Sequence, residues 1–309
     1  MNKTAEITVE KGELVRRGYH RVDVGDIDQS RNLKIRMFIG PGLRPVFEDM
    51  QGRLRYQEMG IKDGIAPGQY YQEFNAYPRE YGYDEALKTE LRVSLRNAGV
   101  ESPDGANERL VVETRGTLRS RVVTGPAAAV GFEPPLGDLA VAGRSRVIHM
   151  LTRPKQPRGD RLVTEVPDNL KFLTLKPFDG EFPTIKTLSR LPENYNTVDV
   201  QGSKHVRGVW TMANSDVFLH VHAREYLYAM ENRMGALAAD ASLPLDRILA
   251  TGSRVIFRRP GLVGEHYELR CELYRNEAQL VALGSFHTLV DGTVDDRAAS
   301  FLRFEARIF

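Results

Sequence analysis

Residues 216–237 read DVFLHVHAREYLYAMENRMGAL, from Asp216 to Leu237. The second part has a helical period. Ala223, Tyr226, Leu227, Met230, Met234 and Leu237 fall on one face, and Arg224, Glu225, Asn232 and Arg233 fall mostly elsewhere. The first part alternates, so His220 and His222 lie on the same side of an extended segment. A strand-like approach, a turn holding Asp216 and an amphipathic helix thus follow one another within about thirty residues.

Strand signals dominate on both sides of this stretch. Tyr267, Leu269, Cys271 and Leu273 alternate with Glu268, Arg270 and Glu272, and Leu302, Phe304, Ala306 and Ile308 alternate with Arg303, Glu305 and Arg307. In the first half Leu91, Val93 and Leu95 alternate with Arg92, Ser94 and Arg96. Arg109 to Val123 reads as a further strand, broken at Gly116. Between these two, the turn-rich ESPDGANE segment from Glu101 suits a hairpin. A second helix is expected from Leu43 to Met59, with Pro45 in its first turn. TRPKQPRGD from Thr152 reads as an exposed loop. Long antiparallel strands with few helices define an α+β class.

The whole chain narrows the functional classes. Its 309 residues suit about two domains. Lys plus Arg is 43 against 41 for Asp plus Glu, which leaves no basic excess for nucleic-acid binding. The single Cys271 excludes an intrachain disulfide and a thiolate-rich metal site. The charged opening MNKTAEITVEKGELVRRG has no signal-peptide core, and no run is long enough to span a bilayer as a helix. A cytoplasmic protein without a membrane partner is expected.

The order strand, Asp turn, helix, strands occurs twice. Aligning Asp28 with Asp216 places Asn32 on His220, Lys34 on His222 and Phe38 on Tyr226. The expected units are residues 1–185 and 186–309, the first of them divergent.

This order resembles the hot-dog fold, a curved antiparallel sheet wrapped on a central helix. DVGDID (Asp23 to Asp28) is similar to the F-G-D-x-D turn of the hydroxybenzoyl-CoA-type thioesterases. DVFLHVHAREYL (Asp216 to Leu227) resembles the D-x-x-x-H-V-N-N-x-x-Y-L segment of acyl-CoA and acyl-carrier-protein thioesterases. RVIFRRPGLVGEHYELRCEL (Arg254 to Leu273) resembles the strand-Pro-x-x-x-Gly-strand hairpin that follows the helix in those families. Together these segments imply a double hot-dog: two curved antiparallel sheets, each wrapped on a central helix.

The resemblance also implies a chemistry. It predicts an acyl-thioester hydrolase of fatty-acid or polyketide metabolism, acting on acyl-CoA or an acyl carrier protein and needing no cofactor or metal. A homodimer is compatible with it. In such enzymes the thioester lies at a helix N-terminus, where free amides hold an oxyanion, and a carboxylate from the other unit supplies the base or nucleophile. Asp28 would then serve the Ala223 helix and Asp216 the Leu43 helix. Either Asp equally suits a turn or cap role. His220 occupies the family's His position. His222 replaces the usual Asn, and a His can act as a general base near neutral pH. Glu231 stands about where related enzymes carry a catalytic carboxylate, or else on a solvated helix face. The candidate catalytic set is therefore Asp28, Asp216, His220, His222 and Glu231.

Four further residues are candidate substrate contacts: Gly40, Gly42, Tyr226 and Arg258. The Gly-Pro-Gly element leaves amides open near a helix start, and the Pro260 hairpin carries arginines suited to phosphates. Tyr56, Tyr70 and Tyr71 read first as packing aromatics. Two rival functions keep the fold: a dehydratase or acyltransferase, and a non-catalytic acyl-binding protein.

Overall fold

The computed structural model describes residues 6–22, 50–77, 86–102, 105–121, 139–157, 160–200, 202–215 and 220–308. The chain divides into two compact units, Met1–Phe182 and Pro183–Phe309.

In the first unit the strands are β1 (Glu6–Glu10), β2 (Glu13–Arg21), β3 (Ala66–Ala76), β4 (Ala86–Ser102), β5 (Gly105–Arg121), β6 (Leu139–Thr152) and the short β7 (Leu175–Pro177). They pair antiparallel in the order β1-β2-β4-β5-β6-β3, and β7 lies parallel to β4. The alternation read from sequence sets the faces of β4, where Leu91, Val93 and Leu95 are all fully buried. Strands β4 and β5 form the expected hairpin, closing at Ser102 opposite Gly105.

Gly116 does not break its strand, as the sequence suggested it would: β5 runs through it from Gly105 to Arg121. A Cβ at this position would collide with Ser145 Oγ and lie 2.8 Å from Leu91 Cδ2. The glycine answers a close approach of neighbouring strands, not a turn.

The expected Leu43–Met59 helix is also revised. Residues 43–49 lie outside the described residues. Residues 50–54 are helical, Arg55 then takes a left-handed conformation (φ 51°), and α1 continues from Tyr56 to Asp63. The interruption frees the Leu54 carbonyl, which accepts a hydrogen bond from Asn169 Nδ2 at 2.5 Å.

The second unit contains α2 (Ile185–Leu188), β8 (Asn196–Thr197), β9 (His205–Val209), α3 (Ala223–Asp240), β10 (Ile248–Phe257), β11 (His266–Arg275), β12 (Gln279–Val290), β13 (Thr293–Val294) and β14 (Ser300–Ile308). Its sheet runs β10-β14-β12-β11, with β8 and β9 both on the outer edge of β11. Strand, helix and four strands thus give β9-β11-β12-β14-β10 here and β2-β4-β5-β6-β3 in the first unit, the same strand order.

Helix α3 packs on β11 and β14. It buries Tyr226, Leu227, Met230, Met234, Leu237 and Ala238, the expected face with Ala238 added and with Ala223 only half-buried. Opposite it, Leu269, Cys271, Leu273, Phe286, Leu302 and Phe304 are each at most 2% exposed. Cys271 is a core residue, with Sγ 3.9 Å from Met230 Sδ, and burial pushes its thiol up to about 12. Arg303 faces away from the helix and is still buried, because its Nη1 donates to the carbonyls of Leu188 and Arg190.

Candidate functional site

The N-terminal end of α3 is built from three converging chain segments. Strand β9 leads into Trp210, whose N–H donates to Glu265 O (3.0 Å) and whose carbonyl accepts from Gly264 N (2.8 Å). The indole is 5% exposed and stacks on Tyr267, with ring centroids 4.2 Å apart. A 3-10 turn, Met212–Asn214, follows and ends near the helix start.

Asn214 organises this turn. Its Oδ1 accepts from Thr211 N (3.0 Å) and Thr211 Oγ1 (2.9 Å), and its Nδ2 donates to Glu225 Oε2 (3.0 Å) in the first turn of α3. Its carbonyl accepts from His222 N at 2.9 Å. Ser215 is bridged to Val221, and His220 to Leu262. Val221 N donates to Gly261 O at 2.9 Å. The short segment carrying the two histidines is therefore fixed on both sides by backbone hydrogen bonds.

Val221 is buried, His220 is exposed and His222 half-buried. His222 is the N-cap of α3, extended at φ −60° and ψ 139°, and among the described residues no side chain makes a capping hydrogen bond there. The first amides of the helix, on Ala223 and Arg224, have no partner within it, and the positive end of its dipole points the same way. Glu225 is held by Asn214 and by Arg224 Nε at 3.0 Å. Two histidines at a helix start whose first amides have no partner within the helix supply groups able to take a proton and hold a developing oxyanion.

Tyr226, a candidate substrate contact, lies in the core of its unit. It is 2% exposed, packed against Trp210, Phe257 and Phe286. Its hydroxyl accepts from Gly261 N at 2.8 Å, and burial pushes the phenol up to about 12. A Cβ on Gly261 would lie 2.6 Å from that hydroxyl oxygen, so only glycine permits this pin.

Glu231 is half-buried on the same helix. It lies nine residues past His222, about 13 Å along the axis and on the opposite side at 100° per residue. The helix therefore does not bring it to the two histidines. Arg258 is exposed just past β10, with its N–H on Ala299 O at 2.9 Å. Asp28, Asp216, Gly40 and Gly42 lie outside the described residues. Among the described residues no group of three His, Cys, Asp or Glu side chains could hold a metal, and no helix is long and apolar enough to cross a membrane.

The turn from Thr211 to Asn214 and its link to Glu225 were not read from sequence. Thr211-x-x-Asn214 has capping-box spacing and could have been read as such. The Glu225–Asn214 bond spans eleven residues and left no local signal.

No family model matches the chain, and no curated protein does. Solved structures do. A protein described as an oleoyl thioesterase from Lactobacillus plantarum superposes with TM-score 0.62 at 13% identity, over 98% of this chain and 99% of that one. An acyl-ACP thioesterase from Bacteroides thetaiotaomicron gives 0.58 at 9% identity, over 94% and 97%. The 12:0-ACP thioesterase from Umbellularia californica gives 0.57 at 12%, over 96% and 98%. The chain has the hot-dog fold of these thioesterases, matched over nearly its whole length.

Proposed function

We propose that the chain is an acyl-thioester hydrolase built as two hot-dog units, acting on acyl-CoA or an acyl carrier protein. The observation that carries this reading is the N-cap of α3. His222 stands at the helix start with His220 two residues before it on one side of the segment. The fold shared with named thioesterases supports it, as does the common strand order of the two units.

In this reading a water attacks the thioester carbonyl. Its proton passes to His220 or His222, with Asp28 or Asp216 activating the water. The amides of Ala223 and Arg224 hold the oxyanion. The C–S bond then breaks, the thiolate takes the proton back, and a free acid and a thiol leave. Gly40, Gly42 and Arg258 contact the acyl-bearing arm.

The test is hydrolysis of acyl-CoA and acyl carrier protein by Asp28→Asn and Asp216→Asn, made separately, beside His220→Ala and His222→Ala. Loss of a general base lowers kcat by about 100-fold or more. At least one Asp variant and one His variant should show this loss. Full turnover in both Asp variants would remove the carboxylates from the mechanism. An enoyl thioester in place of free acid would make the protein a dehydratase.

A further inference from the structure

The face of the second sheet that points away from α3 holds another pair of chemically able groups. Ser285 and His287 stand two residues apart on β12, on either side of the core residue Phe286, and so share that face. Ser285 Oγ lies 2.9 Å from His287 Nε2, and His287 Nδ1 lies 2.8 Å from the carbonyl oxygen of Asp295. A carbonyl only accepts, so Nδ1 carries a proton. In the neutral ring Nε2 is then the acceptor, and the serine hydroxyl donates to it. His287 is 5% exposed, whereas Ser285 is half-buried.

The register supplies the surroundings of the pair. Arg270 on β11 and Phe301 on β14 are the cross-strand partners of Ser285. Side chains directly opposite each other share a face, with Cβ atoms about 5 Å apart. Leu283 lies on the same face two residues before Ser285, and both it and Phe301 are half-buried. Arg270 donates from Nε to Glu268 Oε1 at 2.9 Å, and its Nη nitrogens donate no hydrogen bond among the described residues. A hydroxyl bonded to an oriented base, a cation with free donors and a small apolar floor therefore meet at one place.

We propose that Ser285 is a nucleophile that cleaves small carboxylic esters, with His287 as its base and Arg270 holding the oxyanion. A serine bonded to a base that a third group orients is the arrangement that activates it. Strand β12 is paired on both sides, by β11 and β14, so its amides are engaged in the ladder and the developing charge falls to Arg270. Ser285 Oγ bonds to the acyl carbon as its proton passes to His287 Nε2. The ester C–O bond breaks, and the leaving oxygen takes that proton. Water repeats the relay on the acyl-serine and releases a free acid. Leu283 and Phe301 give a short acyl chain its floor. The site shares no residue with the start of α3 and stands apart from the thioester reading.

The test uses the full chain and two probes, an alkyl fluorophosphonate and p-nitrophenyl acetate, with acyl-CoA turnover followed alongside. The fluorophosphonate should label wild type on Ser285, as located by mass mapping of peptides. Ser285→Ala should remove that label, lower hydrolysis of p-nitrophenyl acetate and leave acyl-CoA turnover unchanged. His287→Ala should slow labelling about 100-fold or more. Arg270→Gln, a milder change on a half-exposed side chain, should slow it about 10-fold or more. Absence of label on wild-type Ser285 would overturn the proposal whatever the variants do. Labelling as fast in His287→Ala as in wild type, or ester hydrolysis undiminished in Ser285→Ala, would overturn it too. Loss of acyl-CoA turnover on labelling would overturn it as a separate site. A chain that labels on Ser285 and cleaves the ester, yet never hydrolyses an acyl thioester, would support the proposal and remove the hydrolase reading of the α3 site.

Discussion

Each sheet carries one buried glutamate held by arginines on its charged face, and the two are built to different depths. Glu113 on β5 is fully buried. Arg146 Nε donates to its Oε1 at 2.6 Å and Arg115 Nη2 lies 3.2 Å from the same oxygen. Arg96 Nε is 3.3 Å from Oε2 while bonded to Ser94. Arg146 also stands over the Phe178 ring, 4.9 Å from its centroid. Glu268 on β11 has Arg207 and Arg270 at 2.9 Å each, but the side chain of Arg207 is 62% exposed. The same chemical pair is closed in by arginines and a ring in one unit and open to water at an edge strand in the other. Screening by water should make the two unequal.

Replacing each carboxylate breaks or sharpens this contrast. Glu113→Ala leaves Arg146 without its carboxylate, while Arg96 keeps Glu13 and Arg115 keeps Asp179, and should cost about 3 kcal/mol. Glu268→Ala should cost about 1 kcal/mol, since its partners can turn to solvent. Urea unfolding of both variants measures the gap, and equal losses would refute the difference in burial.

The next contrast concerns acid. His149 of the first unit is 9% exposed, and its Nδ1 makes no hydrogen bond among the described residues. Burial holds its imidazole down at about 4, against an ordinary 6.5. The folded state therefore favours the neutral ring. Its stabilising effect is complete above pH 6.5 and is lost as pH falls toward 4, because the unfolded chain binds the proton first. At pH 4.5 the loss should reach roughly 2–3 kcal/mol. Melting curves at pH 7 and 4.5 should show a smaller acid shift for His149→Leu than for wild type. An unchanged shift would place the acid sensitivity elsewhere.

These contrasts also mark what the sequence disclosed. Alternation exposed the faces of β4, β11 and β14, because one-sided burial forces a period of two. The same alternation predicts an exposed Arg303. That arginine is buried because the Leu188–Arg190 segment, more than a hundred residues away in sequence, lies over it. Gly116 read as a break because the collision it avoids involves β4 and β6, which its own neighbours in sequence do not reveal. His220 and His222 were legible as a pair, since their spacing and the helix start are local. The Asn214–Glu225 link that fixes them is a product of the fold.

The smallest expected effect separates two tyrosines. Tyr226 accepts a hydrogen bond from the buried Gly261 N–H, whereas Tyr56 makes none through its hydroxyl among the described residues. Tyr226→Phe leaves a buried donor without its acceptor and should cost about 1–2 kcal/mol. Tyr56→Phe removes no bond and should stay within about 0.5 kcal/mol of wild type. Thermal melts of the two variants check this order. The same Tyr226→Phe protein also tests its role at the site. A pin for the Pro260 hairpin predicts lost stability with KM nearly unchanged below the melting range. A direct substrate contact predicts a raised KM at full stability, and that outcome would move Tyr226 from the core of the unit into its chemistry.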